Sequence, residues 1–365
     1  MKPVSLTYSL ADQDFERTKS IGIFNVSLQL ADALAADPRL EQLTVLVNRS
    51  HMPRLNLPPR VSMALRDEAA GRGFQRIMWD QWNVYDVARR LGNEWLLLPK
   101  GFSSFFRRSP LRLAVYVHDV MHHVYTEKFP GALPYLERRY FRSAMHATVR
   151  DADIIFTNTA FTASEVRRVA RESGLPEPRV SCVGIGFERT NAPVWPKEDR
   201  IMVLTSRWPH KRTDLALAWM QRWQDLSGFV GNIELIGSLP YHKTCPDRPG
   251  WRHHLRIEET AYRELLQSAR ALVYFSDYEG FGMPPIEATL AGAAAVFSDL
   301  PPTRESMGGA GLPFANTDFE SFRRAMDQAM AHSPGENNAW ADELLARHKW
   351  DQVADRVVSA LSEVP

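Results

Sequence analysis

Short apolar runs rich in β-branched residues alternate along the chain with longer segments of helical periodicity, the pattern of parallel sheets covered on both faces by helices. In the first half these runs predict strands at Pro3–Tyr8, Leu43–Asn48, Trp95–Pro99, Leu111–His118, Asp153–Asn158 and Val180–Gly184. Helices are expected over about Gly22–Ala36 and over Ala160–Glu172, the second with Thr159 as its N-cap. The polar, proline-containing stretch Phe187–Arg200 separates two β/α series and reads as a linker. Beyond it, strands are expected at Ile201–Ser206, Ile233–Gly237, Ala271–Ser276 and Ala293–Ser298. Helices follow near Thr213–Asp225, Thr260–Ala269, Pro284–Ala291 and Phe319–His332, and two more, about Asn338–His348 and Trp350–Glu363, close the chain. The sequence carries no internal repeat and no low-complexity segment.

At roughly 100 to 200 residues per domain, a chain of 365 residues calls for two domains. Forty-four Lys and Arg against 43 Asp and Glu leave a formal net charge of +1, so no global field draws in nucleic acid and any basic surface is local. The two cysteines, Cys182 and Cys245, exclude a disulfide scaffold and a Cys-rich metal site and fit a reducing cytosol. The opening MKPVSLTYSLADQD has no apolar signal region, and no stretch approaches the roughly 18 to 20 apolar residues of a spanning helix. A cytoplasmic chain, with at most peripheral contact to the inner face of the plasma membrane, is the expectation.

The segment SDYEGFGMPPIEATLAG, residues 276–292, carries the most chemistry. Gly280 and Gly282 allow a turn with close backbone approach to a ligand, and Pro284 and Pro285 suit a first helical turn. Amides ahead of that helix would face the crevice at a strand's carboxyl end, where a helix dipole favours phosphate. Glu279 and Glu287, eight residues apart, can each accept bonds from vicinal hydroxyls. On composition alone, a Gly/Pro turn with two solvated glutamates remains the alternative. Arg207 and Lys211 flank a WPH turn after a strand, where both cations could converge on a diphosphate or form a solvated basic loop.

EGFGMPPIEATLAG resembles the Glu-x7-Glu signature of retaining GT-B glycosyltransferases, specifically glycosyltransferase family 4. Four more ordered segments share the resemblance: YVHDV, DADIIFTNTAFTASEV, VLTSRWPHKRTDLAL and AAAVFSDLPPTRES. It implies an α/β chain of two Rossmann-like parallel-sheet domains facing a central cleft. Residues 1–190 would serve the acceptor and 200–348 the nucleotide sugar, with 349–365 a helix returning to the first domain. It further implies that Arg207 and Lys211 bind the donor diphosphate, Glu287 the ribose, and Glu279 hydroxyls of the transferred sugar. Amides of Phe281, Gly282 and Met283, beside Gly280, would face sugar and phosphate, and His118 would sit near the sugar and the attacking acceptor. The three-residue interval between Arg207 and Lys211 is shorter than in many members. Gly22 matches the family's N-domain glycine loop only in part, and a glycine in a helix-start turn is the equal alternative.

The implied reaction transfers a hexosyl group with retained configuration from a nucleoside diphosphate sugar, GDP-mannose being favoured, to a glycan or lipid-linked acceptor in surface polysaccharide assembly. No cofactor and no metal are expected. His122 and His123 have the spacing of a metal pair without a third ligand pattern, DAD at 151–153 opens a buried strand, and DQD at 12–14 lies in a polar loop. Alternatives within the fold are a sugar-nucleotide 2-epimerase, a phosphorylase or a non-catalytic sugar-nucleotide-binding protein. A dinucleotide oxidoreductase lacks its Gly-x-Gly-x-x-Gly after the first strand. Basic and aromatic residues mix in GFSSFFRRSPLR and PYLERRYFRSAMH, which fit either an anionic membrane surface or core rings beneath solvated arginines. Oligomeric state is not legible.

Overall fold

The computed structural model describes residues 4–14, 21–70, 73–189 and 196–364. The chain forms two compact units, one of residues 1–187 with 348–365 and one of residues 188–347. In the first, β1 (Val4–Ser9), α1 (Ile21–Ala36), β2 (Leu40–Val47), β3 (Ser62–Leu65), α2 (Phe74–Met78), α3 (Val84–Leu91), β4 (Trp95–Leu98) and β5 (Arg112–Val117) are followed by α4 (Met121–Lys128), α5 (Tyr135–Asp151), β6 (Ile154–Thr157), α6 (Ala160–Glu172) and β7 (Val180–Cys182). The second runs β8 (Arg200–Thr205), α7 (Thr213–Ser227), β9 (Asn232–Gly237), β10 (Trp251–His254), α8 (Glu259–Ser268), β11 (Ala271–Tyr274), α9 (Met283–Leu290), β12 (Ala294–Ser298), α10 (Pro301–Met307), β13 (Leu312–Phe314), α11 (Phe319–Ala331) and α12 (Pro334–Arg347). Helix α13 (Trp350–Glu363) returns to the first unit.

Both sheets are parallel throughout, with strand orders β3-β2-β1-β4-β5-β6-β7 and β10-β9-β8-β11-β12-β13. Each is doubly wound, so its topological switch point lies between β1 and β4 in the first unit and between β8 and β11 in the second. Loops at the carboxyl ends of those strands frame a crevice in each unit. Strands buried on both faces explain the continuous apolar runs: β4, β6, β11 and β12 have every residue buried. In the second unit an aromatic cluster of Phe275, Phe314, Phe319 and Phe322, with Trp219 against it, fixes α7 and α11 on one face of the sheet.

Helix α6 begins as the sequence predicts, with Thr159 Oγ1 accepting the Thr162 amide at 3.0 Å. Helix α13 packs on α1, and Arg39, in the turn between α1 and β2, pairs with Asp355 of α13 at 2.8 Å and donates to Ser359 Oγ at 3.1 Å. Three short edge strands, β3, β10 and β13, escape the sequence pattern, because SMAL, WRHH and LPF carry neither a β-branched apolar run nor a clear alternation. Helix α10 likewise reads as a loop from its Pro301-Pro302 start, although proline suits a first helical turn. Helix α5 runs through the PYLERRYFRSAMH segment, where clustered charges and rings draw attention away from the helical period. Strand β8 starts at Arg200, a residue that the sequence pattern assigns to the linker; residues 190–195 of that linker lie outside the described residues. The same holds for Pro3 of the first predicted strand.

Candidate active site

The switch point of the second unit gathers the predicted site residues of that half. Strand β8 ends in the loop Ser206–Arg212, whose Pro209–Lys211 turn is a single 3-10 turn. Arg212 closes it with φ at 46°, a left-handed conformation that costs an L-residue of order 1 kcal/mol and persists only when its surroundings hold it. The holding contact is visible. Arg212 Nη1 donates to both oxygens of Asp277 at 3.1 and 3.0 Å, and the Asp277 amide donates to His210 O at 2.7 Å. Asn316 Nδ2 adds bonds to Ser276 O (2.7 Å) and Asp277 Oδ1 (2.9 Å). The loops after β8 and β11 are thereby tied to each other.

Between them, Lys211 Nζ donates to Glu279 Oε1 and to Tyr274 Oη, both at 2.5 Å, and Tyr274 Oη donates to the same Glu279 oxygen at 2.7 Å. The Lys211 ammonium also lies 4.6 Å from the centre of the Tyr274 ring. Burial pushes the Glu279 carboxyl up. The Lys211 charge, with bonds from Lys211, Ser276 and Tyr274, outweighs it and holds Glu279 below the usual carboxylate range.

Glu287 contrasts with Glu279. It sits on α9 one turn past the helix start, partly buried, and its carboxylate has no hydrogen bond or ion pair to another described residue. Burial raises its pKa, and the more distant Arg263 charge opposes the rise. A desolvated carboxylate without a partner is ready for hydroxyl donors that the protein does not supply.

Gly282 caps α9 with φ at 87°, and a Cβ there would lie 2.6 Å from Thr303 Cγ2, so both the conformation and the close approach require glycine. Pro284 and Pro285 remove two of the four amides that open the helix, which leaves the Gly282 and Met283 N–H groups as its donors. Phe281 is buried and its carbonyl accepts from Ser306 Oγ at 2.8 Å; Gly280 is buried beside it.

Arg207 and Lys211 share no hydrogen-bond or ion-pair partner among the described residues. Arg207 is exposed, with its guanidinium 5.4 Å from the Trp208 ring centre and Nη1 3.5 Å from Tyr241 Oη. It lines a cavity of about 480 Å³ with Ser238, Tyr241, Lys243 and His253.

In the first unit, His118 follows β5 at the carboxyl edge, 7% exposed and stacked 4.4 Å from Tyr116. Its Nε2 lies 2.7 Å from the Pro99 carbonyl. A carbonyl only accepts, so Nε2 carries the proton and Nδ1 keeps its lone pair. Burial lowers His118 to about 4, and the ring is neutral at pH 7. Gly22 is the exposed second residue of α1, which favours the helix-start reading over a ligand loop.

The DQD segment lies in the loop after β1 as expected, but its Asp12 and Gln13 are buried. Lys100, just past β4, donates to Asp12 Oδ2 at 2.5 Å and to Asp80, and burial is outweighed by the two carboxylates, which raise its pKa. The fold also supplies what the sequence pattern lacks around His123. Its Nε2 lies 3.2 Å from Glu127 Oε1 and 3.0 Å from Glu172 Oε2, but Arg168 donates to both glutamates at 3.0 and 2.9 Å. That guanidinium already neutralises the charge a cation would need.

The two basic-aromatic segments combine both expectations, core rings and exposed surface. Phe102, Phe105, Tyr140 and Phe141 are half-buried and pack ring on ring, with Phe105 5.4 Å from Tyr140 and Phe102 5.1 Å from Phe141. Phe106, Tyr135 and Leu136 are exposed, and Arg107 and Arg108 pair with Asp86 and Asp151.

Tyr274 and Arg212 escape sequence reasoning. Tyr274 reads as one more core position in ALVYFS; its only signal is a polar-tipped ring at the last residue of an apolar strand, where a buried hydroxyl needs a partner.

Comparison with known proteins bears on this geometry. Residues 249–343 match the family model for glycosyl transferases group 1, which covers the Glu279–Glu287 segment. The O-antigen chain mannosyltransferase RfbU of Salmonella typhimurium is 22% identical over 293 residues, 78% of each chain. O-antigen chain mannosyltransferase B of Escherichia coli is 21% identical over 379 residues, 93% of this chain and 95% of that one. Among solved structures, sucrose-phosphate synthase from Thermosynechococcus elongatus superposes with a TM-score of 0.67 at 13% identity, covering 99% of both chains. The UDP-forming trehalose-phosphate synthase of Burkholderia vietnamiensis gives 0.61 at 12%, covering 98% and 99%. The chain is a GT-B glycosyltransferase. A place in glycosyltransferase family 4, suggested by the Glu-x7-Glu segment, is consistent with the family model and the two relatives.

Proposed function

We propose that the chain transfers a hexosyl group, with retained configuration and without a metal or other cofactor, from a nucleoside diphosphate sugar to a glycan or lipid-linked acceptor. GDP-mannose is the favoured donor, and surface polysaccharide assembly the setting, because both curated relatives are named as O-antigen chain mannosyltransferases. The observation that carries the reading is the pair of glutamates at the second switch point. Glu279 is bonded to a lysine, while Glu287, eight residues on, is desolvated and unpartnered.

In this reading Glu287 accepts the ribose hydroxyls, and Glu279 accepts hydroxyls of the sugar. Lys211 and the Gly282 and Met283 amides meet the diphosphate, and the exposed Arg207 side chain leaves Tyr241 to reach it from the other side of the loop. The bond from the anomeric carbon to the distal phosphate oxygen breaks as the acceptor oxygen bonds to that carbon on the same face. The acceptor's proton passes to the departing phosphate oxygen. The cations and amides stabilise the charge that develops there, and such preorganised electrostatics contribute more to the rate than any other single effect in a site of this kind. His118, neutral, offers Nδ1 as an acceptor for a substrate hydroxyl.

Membrane contact in this proposal rests on Phe106, Tyr135 and Leu136 beside arginines of the first unit, which would bring a lipid-linked acceptor to the protein. The deciding experiment is a thermal-shift screen with UDP, GDP, dTDP and ADP sugars, followed by NMR coupling constants of the product glycoside. Stabilisation by GDP-mannose and an α-mannoside product are expected. An inverted anomer rejects the mechanism, and an epimerised nucleotide sugar formed without acceptor rejects the reaction class.

A further inference from the structure

The Lys211–Glu279 contact holds a third member that no family pattern assigns. Tyr274 ends β11 with its ring in the core and its hydroxyl at the carboxyl edge of the sheet, touching both charged groups. The bond directions follow from chemistry. A carboxylate only accepts, so the phenol donates its proton to Glu279 Oε1, and the ammonium, which only donates, gives one N–H to the phenol oxygen and another to Glu279 Oε1. The three groups form a closed ring of three charge-assisted bonds. Two of the three ammonium N–H groups are engaged, and one is left for an incoming anion. The Lys211 and Tyr274 bonds both fall on Oε1, so a substrate hydroxyl bonded at Oε2 would not displace the lysine.

We propose that Tyr274 is a positioning residue that locks Lys211 and Glu279 into one unit, so that diphosphate and sugar are recognised at a fixed spacing. The proposal rests on the donor reading above and deepens it. Each charged side chain alone is long and rotamer-rich, and the freedom it loses opposes binding unless it is already ordered. The lock orders both groups before a ligand arrives. It also explains why a tyrosine is in a strand otherwise filled by Ala, Leu and Val: a hydroxyl buried there is costly unless bonded, and it finds both partners. The charged and titratable groups facing the lock are Glu287 and Tyr262 on the helix side, and His210 and Asp277 on the loop side. None of them contacts the phenol oxygen among the described hydrogen bonds. Burial, reinforced by the Glu279 charge, pushes the Tyr274 phenol far up, so the proton it donates stays in place across the working pH range.

Tyr274→Phe removes only the hydroxyl and keeps the ring, its burial and its contact with the ammonium. The probe is whichever of UDP-glucose, GDP-mannose, dTDP-glucose or ADP-glucose stabilises the wild type, titrated calorimetrically from pH 5 to 8. The variant should melt near the wild-type temperature and bind the nucleotide sugar about tenfold more weakly, the loss typical of one bond to a charged group. Its acid limb of binding should move to higher pH, because Glu279 loses a bond that holds it ionised. A double-mutant cycle with Glu279→Gln should show coupling, the second loss being smaller in the Tyr274→Phe background. Wild-type affinity and an unmoved acid limb in Tyr274→Phe, with Lys211→Ala still abolishing binding, overturn the positioning role and leave the donor site standing. A wild type that binds none of the four sugars overturns both.

Discussion

The two switch points are built alike and finished differently. Each unit carries a lysine at the carboxyl edge of the sheet, bonded to carboxylates: Lys100 with Asp12 and Asp80 in the first, Lys211 with Glu279 in the second. In the first unit two carboxylates saturate one ammonium, the Asp12 side chain is 1% exposed, and Arg76 stands 4.0 Å away as a further cation. The cluster is internally balanced. In the second unit one carboxylate meets one ammonium, a tyrosine hydroxyl closes the ring, and the Glu287 carboxylate beside it has no partner among the described residues. A saturated cluster has nothing left to offer a ligand, whereas an under-satisfied one gains by taking a ligand that brings both an anion and hydroxyls. The same topology thus yields a balanced ion cluster in one unit and, in the proposed reading, a recognition site in the other.

The largest expected effect tests the structural half of that contrast. Lys100→Ala strands two buried aspartates and should cost about 3–5 kcal/mol of stability, read from denaturant unfolding. Nucleotide-sugar affinity measured well below the melting temperature should stay at the wild-type level; its disappearance in a folded variant would make the first cluster a ligand site and dissolve the comparison. Next in size is Lys211→Ala, which in the proposed mechanism should lower kcat/KM by about 100- to 1,000-fold, because its charge acts at the leaving group, and should also reduce stability, because Glu279 loses its cation. Transfer that persists in this variant, or transfer that is lost with EDTA and restored by manganese, removes the lysine from the role.

Glu287→Ala should weaken binding of the free nucleoside diphosphate by about 1–3 kcal/mol in calorimetry, through lost ribose bonds. It should slightly stabilise the unliganded fold, since a desolvated, unpartnered carboxylate is removed. Unchanged affinity takes Glu287 out of the ribose site.

The smallest effect concerns acid. His51, His118 and His122 in the first unit and His210 in the second are each lowered from 6.5 to about 4, chiefly by burial. Between those values the unfolded chain binds the protons and the folded chain does not, so the stability they contribute is whole above pH 6.5 and is lost as pH falls toward 4. Three of the four lie in the first unit. Hydrogen exchange at about pH 5 should show its strands β1, β2 and β5 losing protection before β8, β11 and β12, and the opposite order would show that the histidines do not govern acid stability.

Much of the architecture is legible in the sequence because it is local. Strand and helix periodicity, Thr159 as a cap and the glycine–proline start of α9 each depend on a few neighbouring residues, and most of the predicted elements form close to their expected bounds. Elements of three or four residues such as β10 and β13 escape, since their pairing partners, not their own pattern, make them strands. The site divides the same way. Glu279, Gly282 and Glu287 are spaced by one loop and one helical turn, so their grouping follows from the chain itself. Arg207 is expected beside Lys211 on the same argument, yet the intervening turn carries it toward Ser238 and Tyr241 instead.

What the amino-acid order settles by itself is the alternation of elements, the doubly wound parallel plan and the two glutamates at the mouth of α9. Those follow from side-chain periods of about 2 and 3.6 and from the fixed φ of proline and the freedom of glycine. Tertiary structure decides which charges meet. Lys211 and Tyr274 are 63 residues apart, Lys100 and Asp12 are 88, and Arg212 finds Asp277 across 65. Ion pairs and buried hydroxyls depend on distance in space as the inverse of separation and on the loss of water around them, and only the folding of each sheet around its switch point sets either quantity.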